Sequence, residues 1–246
     1  MARGLQINER VFVPTSVLEA EVQSPSAFYQ TRVLALEGRS ARVDVGGGET
    51  ELVVTSKCQR NIGIGIVAVG DLESESVLID PLSKSMLQFA RLLSSDDYVF
   101  YHRLRSVAEL AAIWKLYHSN YSHVVFVGHG NGSEMKFGVD GWINSRALEE
   151  VVDIDGVEAK CFMNLSCELG KAAYGKPFSE LAACDSFIAP FHSVHGAVAS
   201  HFAQSFLIYN LLHGETRKVA FRHARQLAAG ATSFRMWRHG SMITDG

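Results

Sequence analysis

Residues 123–132 read HVVFVGHGNG. A short apolar run without alternation, closed by glycines, describes a strand buried on both faces, as in a parallel sheet. A second run of the same design, KCFMNL at 160–165, ends in Ser166-Cys167-Glu168-Leu169-Gly170. Working outward, 98–101 and 186–189 read as further strands, and VLID at 77–80 as another, stopped by Pro81. Between them lie helical patterns. Residues 83–93 place Met86, Phe89, Ala90 and Leu93 on one face, and 106–118 do the same with Val107, Leu110, Ala111, Trp114 and Tyr117. A shorter helix is expected at 145–152. Longer ones at 196–212 and 215–229 are closed by Gly214 and Gly230. Strands alternating with helices imply an α/β domain with a mostly parallel sheet covered on both faces, a three-layer α/β/α arrangement.

The first seventy residues differ. Runs at 11–13, 30–36, 41–45 and 50–55 are short and β-rich, and Gly46, Gly47 and Gly48 mark a hairpin tip. Their spacing suggests a small SH3-like β-barrel over 1–70, ahead of the main domain at 71–246. The alternative is an irregular β-extension of that domain.

Composition bounds the rest. The chain has 246 residues, 47% of them hydrophobic and 20% charged, which supplies a real core and excludes wholesale disorder. Lys plus Arg is 23 and Asp plus Glu 26, so the net charge is 23 − 26 = −3. No basic footprint for nucleic acid results. The apolar stretches at 62–69 and 202–212 are too short or too polar to span a bilayer, so no membrane partner is expected. The opening MARGLQINER has no apolar leader, and Cys58, Cys161, Cys167 and Cys184 form no CxxC pair. These features point to a cytoplasmic protein with reduced thiols.

In parallel sheets, sites form at the carboxyl ends of strands. Two ends carry chemistry here, one with His129 and one with Cys167, 167 − 129 = 38 residues apart. If the strands are neighbours, the two residues face each other. An imidazole beside a thiol is the minimum unit for covalent acyl transfer: the imidazole takes the thiol proton, the thiolate attacks, and the imidazolium protonates the leaving amine. Gly130 lets a substrate carbonyl approach its N–H, which with the N–H of Cys167 makes a two-donor oxyanion hole. Read singly, each residue has a bland explanation, a core thiol or a histidine in a turn; the pair is what carries the functional reading.

Rival motifs are weaker. GKAAYGKP at 170–177 puts proline where a phosphate loop needs Ser or Thr, so no nucleotide cofactor is expected and the segment reads as a mobile loop bordering the cleft. Leu165 stands where a nucleophile elbow requires glycine. Cys184, His192, His195 and His201 lack the spacing of a closed zinc site, so no metal is expected; His192 and His195 are assigned to the cleft. Glu134, Asp140 and Glu168 lie near the pair in sequence, but a third catalytic member is left unassigned. Asp185 would favour a basic substrate residue if it faced the cleft, or else caps a turn.

An apolar strand ending in His-Gly, then a second ending in Ser-Cys, resembles the caspase-like cysteine peptidases, and within them the CHAT domains. LAACDSFIA at 181–189 and the two closing helices continue the resemblance, which covers roughly 75–235. The resemblance implies a caspase-like fold and a cysteine endopeptidase acting on a protein or peptide substrate. His129 and Cys167 match its dyad and Gly130 the glycine after the histidine, while Cys184 occupies a packing position. An always-active cytosolic endopeptidase would be toxic, so regulation by a protein partner or a ligand is expected, and the resemblance implies a setting such as microbial defence or cell death. The competing class is a catalytically silent caspase-like scaffold or binding module. The N-terminal β-segment matches none of this chemistry, and its expected role is to position a protein partner or to pack on the main domain.

Overall fold

The computed structural model describes residues 4–71 and 75–243. Four strands, β1 (Arg10–Pro14), β2 (Phe28–Glu37), β3 (Ser40–Gly46) and β4 (Glu49–Val54), form an antiparallel meander in that order. Gly47 and Gly48, at φ +61° and +85°, make the β3–β4 tip as expected from the triple glycine. Past β4, a short 3-10 turn (Thr55–Lys57) brings the chain back so that Gln59 bridges Phe12 of β1. Val11, Val13, Val33, Ala41, Val43, Val53 and Cys58 fill the inner face. Cys58 is therefore buried.

The chain continues through β5 (Ile64–Val69), α1 (Asp80–Ser94), β6 (Val99–Leu104), α2 (Val107–Tyr117) and β7 (His123–Val127). A hairpin of β8 (Glu134–Phe137) and β9 (Gly141–Asn144) follows, then α3 (Ser145–Val152) and β10 (Lys160–Asn164). After these come α4 (Ala172–Phe178), β11 (Cys184–Pro190), α5 (Gly196–Leu207), α6 (Arg217–Leu227), β12 (Phe234–Arg238) and β13 (Ser241–Met242). Seven strands form one sheet in the order β13-β12-β11-β10-β7-β5-β6. From β11 to β6 every pairing is parallel; β12 and β13 add antiparallel neighbours at one edge.

Side chains of the central strands alternate between two cores. Ile64, Ile66, Ala68, Val125, Val127, Cys161, Met163 and Ile188 join the core under α1, α5 and α6. Val67, Val69, Val124, Phe126, Phe162 and Phe187 join the core under α2, α3 and α4. Both faces are apolar, which is why these strands read as continuous runs. Phe162 stacks between Trp114 at 5.8 Å and Phe126 at 6.3 Å.

Two expectations are corrected. Residues 77–80 are not a strand: a π-helical turn, Glu75–Ile79, runs straight into α1. Pro81 is at home in the first turn of a helix, where its missing N–H has no partner to lose. Ile79, Leu82, Met86, Ala90 and Leu93 form the buried stripe of that helix. The boundary at residue 70 also moves back. Ile64–Val69 is fully buried between β6 and β7 within the main sheet, so the small antiparallel sheet ends near Gln59. The small sheet packs on the main body: Phe12 meets Tyr98 at 4.9 Å, the Ala27 N–H donates to the Leu93 carbonyl, and Lys57 Nζ donates to the His213 carbonyl. All three contacts lie toward the amino ends of the parallel strands.

Candidate active site

Strand register brings the ends of β7 and β10 together. Met163 of β10 pairs with Val125 of β7, and Asn164 with Phe126, an offset of 38 residues. Cys167 and His129 each lie within three residues of this last pair, in the loops that leave the two strands. The turn into the cysteine is pinned by buried Asn164, whose Oδ1 accepts the Ser166 N–H at 3.0 Å. On the histidine side, the amides of Asn131 and Lys136 donate to the carbonyls of Glu134 and His129, bridging the loop onto β8.

The glycines of residues 128–132 have physical reasons. A Cβ on Gly128 would lie 2.7 Å from the Val69 carbonyl oxygen. One on Gly130 would lie 2.3 Å from the Cys167 carbonyl oxygen and 2.7 Å from Leu169 Cγ. The histidine loop thus rests directly on the cysteine loop, with glycine at the contact. Gly130 sits opposite Met135 in a non-hydrogen-bonded position, so its N–H points away from the hairpin. Among the described residues neither that amide nor the Cys167 amide donates a hydrogen bond.

Cys167 and His129 are each half-buried, and His129 Nε2 is a buried ring nitrogen without a hydrogen-bond partner. The other three thiols are buried. Burial pushes the Cys58 thiol up to about 11 and raises those of Cys161 and Cys184. The loop after Cys167 is tied to the next strands: the Gly170 N–H donates to the Pro190 carbonyl at 2.8 Å, and Trp237 Nε1 donates to the Gly170 carbonyl at 2.9 Å.

Other candidates are distributed differently. Residues 170–177 are not a mobile loop, because α4 occupies 172–178 with Tyr174 and Phe178 in the core and Gly175 against the Trp237 ring. His192 and His195 follow β11 at the same edge of the sheet as Cys167, and both are exposed. His195 Nδ1 caps α5 by accepting the Ala197 N–H. Cys184 is core packing. Asp185 does not face the site: it sits at the amino end of β11, bound by Arg217 and Arg238. The nearby carboxylates are engaged elsewhere, Glu134 with Asn131, Asp140 with the Val107 N–H and Glu168 with Lys171. Sequence reasoning missed the β8–β9 hairpin beside His129; its period-two pattern, EMKF then GWIN, was the available signal.

Comparison with protein-family models gave no match along the chain, and comparison with curated proteins gave no relative.

Proposed function

We propose that this chain is a caspase-like cysteine endopeptidase of the CHAT type, with Cys167 as nucleophile and His129 as general base and acid. The observation that supports the reading is the contact of the two loops: β7 and β10 are paired neighbours, and a Cβ on Gly130 would lie 2.3 Å from the Cys167 carbonyl oxygen. The two amides left without acceptors, at Gly130 and Cys167, supply the oxyanion donors. In the first step the Cys167 proton passes to His129 and the sulfur bonds to the carbonyl carbon of the peptide. The tetrahedral oxyanion collapses, the C–N bond breaks, and the departing amine takes the proton from His129. Water, activated by the same imidazole, then hydrolyses the thioester.

Four free cysteines agree with a reduced, cytoplasmic setting. No helix among the described residues is long and apolar enough to cross a membrane. The small antiparallel sheet, with Gln59 bridged back to β1, is read as an SH3-like barrel that docks a regulatory protein partner. The microbial defence or cell-death setting follows from the family resemblance alone.

The test is a library of fluorogenic peptides varied at the residue before the scissile bond. Cleavage of part of the library, lost in Cys167→Ala and in His129→Ala, is the expected result. Cleavage undiminished in Cys167→Ala would overturn the assignment. No cleavage together with equal, slow labelling of all four thiols would favour the silent scaffold.

A further inference from the structure

Glu168, the residue after the thiol, has φ +67°, a region that side-chain-bearing residues rarely adopt. A residue held there is over-determined by its surroundings. Its Oε2 accepts from Lys171 Nζ at 2.5 Å, and the Lys171 N–H donates to the Glu168 carbonyl at 3.1 Å, closing the turn. The pair also reaches across to the histidine loop. A Cβ built on buried Gly132, at φ +96°, would lie 3.0 Å from Lys171 Cδ and 3.3 Å from Glu168 Oε2. The ion pair of the cysteine loop therefore lies over the end of the loop that carries His129.

We propose that Glu168 and Lys171 are positioning residues of the site. Their pair clasps the cysteine turn against the histidine loop, and Lys171 offsets the carboxylate of the residue that follows Cys167. A bare carboxylate beside a thiol disfavours the thiolate, and a bare ammonium favours it. The proposal rests on the reading of Cys167 as the nucleophile.

The sign of the effect is the test, because a purely structural pair would make both single variants change alike. The rate of Cys167 alkylation by iodoacetamide, in which sulfur displaces iodide, is measured on the full chain at neutral pH by mass spectrometry. Lys171→Met is expected to slow alkylation about threefold, Glu168→Gln to quicken it by a similar factor, and the double variant to return near the parent rate. High salt should shrink both shifts. Glu168→Gly, which removes the carboxylate and suits the positive φ, is expected to follow Glu168→Gln and covers the case in which the glutamine variant misfolds. Single variants that move together, or not at all, overturn the proposal. Failure of the underlying reading looks different: the parent chain would then alkylate Cys167 no faster than its other thiols, and His129→Ala would leave the rate unchanged.

Discussion

At the scale of single residues, the four cysteines are separated by burial. Cys58, Cys161 and Cys184 are enclosed, and desolvation holds their thiols protonated, whereas Cys167 is partly open and follows a pinned turn. A peptide-directed thiol electrophile should therefore modify Cys167 well before the others, as read by tryptic mass mapping; uniform modification would contradict this. Gly130 offers a sharper check. A methyl group in Gly130→Ala meets the Cys167 carbonyl oxygen at 2.3 Å, so the two loops must separate. The expected cost is about 1–3 kcal/mol in stability. Misplacement of the nucleophile should slow labelling by on the order of a hundredfold. A variant that labels at the parent rate would show that the loop contact does not matter.

At the scale of elements, the strands with both faces in the core were the most legible. HVVFV at 123–127 forms β7 as bounded in the sequence, and residues 160–165 differ from β10 by one residue. The nearness of the loops that carry His129 and Cys167 followed, because β7 and β10 pair in parallel. The failures share a cause, the ambiguity of short apolar runs. IGIVAV at 64–69 has the same two-faced character as β7, but with no helix before it and short β-runs ahead of it, it reads as part of the N-terminal segment. VLI at 77–79 reads as strand or helix by itself, and only the first-turn proline and the stripe through Leu93 settle it. The two-residue β13 is too short to show a period, and the alternation of β8 and β9 runs for only four residues each. The corrected boundary has a measurable consequence. Ile66→Ala, fully buried inside the main sheet, should cost about 2–5 kcal/mol. Leu52→Ala, on the exposed face of the small sheet, should stay within about 0.5 kcal/mol. Urea unfolding of the two variants reads the difference, and similar midpoints would refute the placement of β5 in the main core.

At the scale of the whole molecule, acid sensitivity has an identifiable source away from the site. His123 is buried at the start of β7, with Nε2 on Asn210 Oδ1 and Nδ1 on Ser122 Oγ. Burial, helped by Arg217, pushes its pKa down to about 3. The unfolded chain takes up that proton near pH 6.5, so between there and about pH 3 the unfolded state binds more protons. Stability is thus fully present above that window and falls as pH drops through it, by up to about 1.4 kcal/mol per pH unit. His123→Gln should flatten the slope of urea midpoints in this range, and an unchanged slope would assign it elsewhere. The strand order carries a further consequence. Every main-sheet strand before residue 156 lies on one side, as β6-β5-β7, and every strand after it on the other, as β10-β11-β12-β13. The molecule is two contiguous halves zipped along a single seam, with the histidine donated by one half and the cysteine by the other. A break in the exposed turn at Asp155 and Gly156 would sever no strand. Fragments 1–155 and 156–246 produced together should dock through that seam and regain rapid modification of Cys167, which the second fragment alone should lack: a split reporter whose signal depends on reassembly.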